Sequence, residues 1–173
     1  MKPIDFVTAL AALLSQSELR TRFAQDPVLV ADELSIVGED RAMFIALQPE
    51  QVNAQADLLI TKRMKEVYKF LPQTYRQLGR YAAKCFTSYA SNNWPHTHRR
   101  HLEDAYGFCQ YLKMRDYPIN QSEFNHLAFL RNGRRISLAL AKDVLIKGHH
   151  FPAIQLFYRL KGTTGQWRLY LKT

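Results

Sequence analysis

Cysteine is scarce in this sequence: there are two, Cys85 and Cys109, among 173 residues. A disulfide-dense secreted scaffold is therefore excluded. Both fall inside apolar helical patterns, Tyr81-Cys85-Tyr89 and Ala105-Cys109-Leu112, which suits reduced, buried thiols; a disulfide between neighbouring helices is the alternative. The electropositive, exposed setting of a nucleophilic thiol is missing. There is no C-x-x-C pair, no glycine-rich phosphate loop and no G-x-S-x-G elbow. With no catalytic constellation, an enzyme is not expected, and no cofactor is called for. No stretch of about 18 apolar residues runs uncharged, so no transmembrane helix is expected. The apolar stretch 6–14 is short, follows Asp5, and lacks a basic start and a cleavage motif, so no export signal is read and a cytoplasmic protein is expected. Internal repeats and low-complexity tracts are also missing.

What is present is an ordinary globular composition, 47% hydrophobic and 23% charged, enough to bury a core without disulfides or a structural metal. The net charge of +9 is unevenly spread. Residues 1–57 carry four basic and nine acidic side chains, a net of −5, whereas residues 58–173 carry twenty and six, a net of +14. Such a field attracts polyanions or acidic protein surfaces. It equally suits an acidic head docked on a basic body, an acidic–basic contact between chains, or a solvated surface with no specific partner.

Apolar periodicity predicts an α+β protein: an N-terminal bundle of short and medium helices, residues 1–115, then a small antiparallel sheet with one short helix, residues 116–173. Phe6, Leu10, Leu13 and Leu14 have helical spacing, and Ser15-Gln16-Ser17-Glu18 has the form of a capping box for the next helix. Short helices follow to Leu34 and from Gly38 to Leu47. Pro49 starts the longest helix, ending before Leu71-Pro72, and Pro72 starts another. Further helices are read over 81–89 and 101–113, with a loop at 91–95. Asn120-Gln121-Ser122-Glu123 caps a last helix closed by Asn132-Gly133. Beyond it the period changes to two: Ile136, Leu138 and Leu140, then Ile154, Leu156, Tyr158 and Leu160, then Trp167, Leu169 and Leu171. Three or four antiparallel strands with one buried face are predicted, the last pair joined through a loop at 161–165.

Four groups of residues are candidate sites. His96, His98 and His101 are the nearest approach to a metal site, and His98 with His101 would share a helical face near Glu103 and Asp104. Arg99 and Arg100 put fixed positive charge where a cation would sit, so a solvated loop is the better reading. His149 and His150 beside Lys147-Gly148 read as a turn. Lys62, Arg63, Lys65 and Lys69, extended by Arg76, Arg80 and Lys84, make a basic stripe that either tracks phosphates or is the solvent face of amphipathic helices. No recognition-helix or RNP-type signature accompanies it. Finally Arg134, Arg135, Arg159, Arg168 and Lys172 surround strands bearing Phe157, Tyr158, Trp167 and Tyr170. A sheet edge there can accept an added peptide strand; helices packed on the sheet explain the same residues without a ligand.

Over residues 13–112 the chain carries Glu18-Leu19-Arg20-x-x-Phe23 with Asp26-Pro27, Lys62-Arg63 leading to Leu71-Pro72, Leu78-Gly79, Phe86-x-x-Tyr89, and Asp104-Ala105-x-x-Phe108-x-x-Tyr111-Leu112. In these motifs it resembles a bacterial DNA-binding-domain-like family of small proteins that accompany multinuclear non-haem iron oxygenases in modified-peptide biosynthesis. The resemblance implies a partner subunit that helps bind a precursor peptide, as in methanobactin biosynthesis, and supplies no metal ligands. The expectation is thus a non-catalytic protein- or peptide-binding partner of an iron-dependent oxygenase and its precursor peptide. The alternative is a nucleic-acid-binding regulator using Lys62, Arg63, Lys65, Lys69, Arg76 and Arg80. DNA binding as such is supported only by charge.

Overall fold

The computed structural model describes residues 3–95, 99–146, 149–160 and 163–170, without the side chains at 142–146, 149 and 150. His96, His98, the turn at 147–148, residues 161–162, Leu171 and Lys172 lie outside the described residues, as do the side chains of His149 and His150. The fold is α+β, with helices followed by a three-stranded antiparallel sheet. Among the described residues no helix is long and apolar enough to cross a membrane. The chain divides into two compact units, residues 1–63 with 87–94, and residues 64–86 with 95–173.

In the first unit Asp5 starts α1 (Phe6–Ser15) by accepting from the Thr8 amide at 2.8 Å. Only Gln16 separates α1 from α2 (Ser17–Gln25). Ser15 is therefore still helical, its hydroxyl donates to the Ala12 carbonyl, and the capping box read at Ser15–Glu18 does not form. The junction is held differently: Arg20 donates to the Leu13 and Leu14 carbonyls at 2.9 and 3.2 Å, satisfying the open end of α1. Asp26 and Pro27 start α3 (Pro27–Glu33), and α4 (Gly38–Ile45) follows. These helices close over Leu13, Leu19, Phe23, Val30, Ile36 and Phe44, with Phe23 edge-on to Phe44 at 5.1 Å.

The long helix α5 (Pro49–Tyr68) runs from the first unit into the second. After it come α6 (Pro72–Leu78), a 3-10 turn at Gly79–Tyr81, α7 (Ala82–Ala90), α8 (Arg100–Met114) and α9 (Gln121–Asn132). The second unit does not follow the boundary expected at 115/116. The change of period there marks a change of secondary structure, but α8 is packed with residues on both sides of it. Its Phe108 meets Phe86 edge-on at 5.1 Å and Tyr75 at 5.8 Å, while its Tyr106 stacks on Phe124 of α9 at 5.4 Å.

The start of α9 differs from its sequence reading in an informative way. Asn120 caps it, accepting from the Glu123 amide at 3.1 Å. The Glu123 carboxylate does not turn back on its own helix. It accepts from the Gln73 and Thr74 amides at 2.7 and 2.9 Å and from the Thr74 hydroxyl at 2.8 Å. Leu71, the cap residue of α6, has no side-chain oxygen, so those amides take a partner about fifty residues away in sequence.

Gly133, at φ 68°, closes α9 in the left-handed conformation and releases the chain into the sheet. Strand β1 (Ile136–Ile146) pairs with β2 (His149–Leu160), which pairs with β3 (Thr163–Tyr170). Three cross-strand rows follow from the register: Ile136–Tyr158–Gly165, Leu138–Leu156–Trp167 and Leu140–Ile154–Leu169.

Candidate functional site

Those three rows share one face, because residues opposite one another across antiparallel strands project the same way. The alternate rows, Ser137–Phe157–Gln166, Ala139–Gln155–Arg168 and Ala141–Ala153–Tyr170, take the other face. Helix α9 covers this second face, so the sheet has one buried face, but not the one its apolar alternation announced. Phe157 is fully buried with its ring stacked on Phe129 at 5.3 Å and on His126 at 5.6 Å. Beside it Gln155, also fully buried, donates to the Ser122 hydroxyl at 2.6 Å and accepts from Asn125 at 2.9 Å. Asn125 donates further to the Leu140 carbonyl at 3.0 Å.

A buried amide is tolerable only when its polar atoms are paired, and α9 supplies the partners. Burial of Phe157 adds about 2 kcal/mol by area, with about 1 kcal/mol for the aromatic pairs. Desolvation holds His126 below its usual range, with the nearby Arg168 guanidinium as the lesser cause.

The outer face is left apolar and open. Leu138 is 70% exposed and Trp167 68%, and Ile136, Leu140, Leu160 and Leu169 are similarly exposed. Ile154, Leu156 and Tyr158 fill the middle strand between them, half-buried by their neighbours. The surface is roughly 10 Å across the strands and 14 Å along them. Contiguous apolar patches larger than a few hundred Å² are rare on monomeric proteins unless something binds there.

Of the residues expected around a peptide-accepting edge, Trp167 and Tyr158 lie on this face. Phe157 is corrected to a core residue under α9. Arg159, Arg168 and Tyr170 belong to the helix side, where Arg159 lies 5.5 Å over the Phe129 ring. Arg134 and Arg135 are exposed just before β1, and the Arg135 carbonyl accepts from the Arg159 amide at 2.8 Å. Leu138, Leu140 and Leu169 were missed as surface residues, because alternation identifies a face without saying which face a helix covers.

One member of the basic stripe is not at the surface. Arg63 is corrected to a buried structural residue: it donates to the Asn93 carbonyl at 2.6 Å and the Ala90 carbonyl at 3.3 Å, and its guanidinium lies 4.7 Å over Trp94. Lys62 and Arg76 are exposed on separate compact units. Lys65, Lys69 and Arg80 come together around one groove of the second unit. Lys69 is paired with Glu66 at 2.7 and 2.8 Å, and this contact holds the Glu66 carboxyl below its usual range.

His101 lies on α8 with its Nδ1 buried and, among the described residues, without a hydrogen-bond partner. Among the described residues no group of three His, Cys, Asp or Glu side chains is placed to hold a metal ion. Both cysteines are free and buried, and burial pushes the Cys109 thiol up to about 12. No protein-family model, curated protein or solved structure matches this chain.

Proposed function

We propose that this chain is a non-catalytic binding subunit that receives an extended peptide segment at the β3 edge of its sheet. The observation that carries this reading is the open apolar surface formed by Leu138, Leu140, Leu156, Trp167 and Leu169. A strand added beside β3 continues the rows ending in Trp167 and Leu169. Its apolar residues, at every second position, cover those side chains while its backbone pairs with β3. On the β1 side the Leu140 carbonyl already accepts from Asn125, which favours β3 as the receiving edge. Each main-chain hydrogen bond adds about 1 kcal/mol, and the apolar rows supply most of the remainder.

The resemblance over residues 13–112 supplies the partner class: an iron-dependent oxygenase together with the precursor peptide it modifies, in the cytoplasm. The deciding experiment is affinity capture from the native host at moderate salt with nuclease present, using the native chain beside a Trp167→Ser, Leu169→Ser double variant. The reading expects an oxygenase or a small peptide to be captured by the native chain and lost with the variant. Equal capture by both chains, or recovery of nucleic acid alone when nuclease is omitted, overturns it.

A further inference from the structure

The second unit carries a groove of about 550 Å³, remote in sequence from the sheet, that has no part in the peptide-binding reading. Its floor is made by Met64 of α5, Tyr75 of α6, and the small residues Gly79, Ala82 and Ala83. Gly79 is required there by its backbone, at φ 54°, and a methyl group added to it meets nothing within 4 Å. Tyr68 packs edge-on to Tyr75 at 5.4 Å and stands half exposed at the rim.

The rest of the rim is cationic: Lys65, Lys69 and Arg80. Two of these charges are engaged. Lys69 is held by Glu66, and Arg80 lies 5.0 Å over the Tyr81 ring while donating to its hydroxyl at 2.9 Å. Lys65 is exposed and, among the described residues, has no ion pair or hydrogen bond. Tyr75, nine-tenths buried, has a hydroxyl with no hydrogen-bond partner among the described residues, an uncommon condition for a buried polar group.

An apolar floor, one uncommitted cation and a volume in the range of small-molecule sites define a ligand with an apolar body and one negative head. We propose that this groove binds a small amphipathic carboxylate, its chain along Met64, Ala82 and Ala83 and its carboxylate against Lys65. A nucleic acid fits less well, because phosphate tracking needs a succession of free cations rather than one beside an apolar floor.

The test is titration calorimetry of the full chain with decanoate. Acetate serves as the head without the chain, and decyltrimethylammonium as the chain with the opposite charge. Decanoate is expected to bind at least tenfold more tightly than either. Lys65→Glu and Ala83→Phe should each weaken decanoate at least tenfold, whereas Lys62→Glu, the same charge change one turn away, should leave it unaltered. Circular dichroism on each variant establishes that it is folded. A Trp167→Ser, Leu169→Ser variant should retain decanoate binding, which keeps this site distinguishable from the sheet. The proposal is overturned if decanoate fails to bind, if decyltrimethylammonium binds equally well, or if folded Lys65→Glu and Ala83→Phe keep native affinity.

Discussion

Gln155 and Ser122 meet in the interior at 2.6 Å, the amide nitrogen of the middle strand donating to the hydroxyl on the first turn of α9. Gln155 has no solvent exposure, so this bond and the one from Asn125 satisfy an amide that would otherwise be stranded. Replacing Gln155 by alanine removes both bonds and opens a cavity beneath α9. The expected cost is about 2–4 kcal/mol, read as a fall in the urea midpoint.

Glu123→Ala tests the long-range cap on α6. Three charge-assisted bonds are lost, two of them to backbone amides at the start of a seven-residue helix. A loss of about 2–3 kcal/mol is expected. Hydrogen exchange at Gln73 and Thr74 should accelerate more than exchange in α3, which belongs to the other compact unit.

His126 makes stability depend on pH in a definite direction. Burial holds its folded pKa below the ordinary histidine value of about 6.5, so the unfolded chain takes up the proton first as pH falls. Unfolding then binds protons, and stability declines as pH drops through 6.5 toward the folded pKa. His126→Phe keeps a ring against Phe157 and removes the titration. Between pH 7.5 and 5.5 the native chain should lose more of its urea midpoint than this variant does; equal losses would remove His126 as the cause.

Polar replacements on the outer sheet face should separate binding from folding. Trp167→Ser and Leu138→Ser each remove a side chain that is two-thirds exposed or more, leaving the α9 side intact. Stability should change by less than about 1 kcal/mol. Binding of an apolar dye such as ANS should drop, and partner capture with it. A large loss of stability instead would mean that these residues are covered within the chain.

The two thiols should be silent in the folded protein. Cys109 is fully buried with its pKa near 12, and Cys85 is buried on α7. Ellman's reagent at pH 8 is expected to report no rapidly reacting thiol under native conditions and two in denaturant. One fast thiol in the native state would contradict the packing around α7 and α8.

The sequence was most legible where the signal is local. Prolines at 27, 49 and 72 mark the first residues of three helices, and Asn120 with Gly133 bounds α9. These features act through a fixed φ, a nearby side-chain acceptor or a left-handed residue, all decided within a few positions of the chain. The capping box at Ser15 was legible too, and wrong, because α1 keeps that serine inside its last turn. The candidate site was half legible. Alternation identified the strands and their apolar face, and Trp167 as a member of it.

By itself the sequence determined the α+β order, the helix starts and the two-fold alternation of the strands, because each depends on neighbours in the chain. Tertiary structure alone decided that Phe157 and Gln155 go inward while Leu138 and Trp167 stay outside. Either face of the sheet offers apolar area, so hydrophobicity does not choose between them. The choice falls to shape and hydrogen bonding: α9 brings Phe129 and His126 to Phe157, and Ser122 and Asn125 to Gln155. Those partners lie about thirty residues away in sequence, and the local pattern holds no record of them.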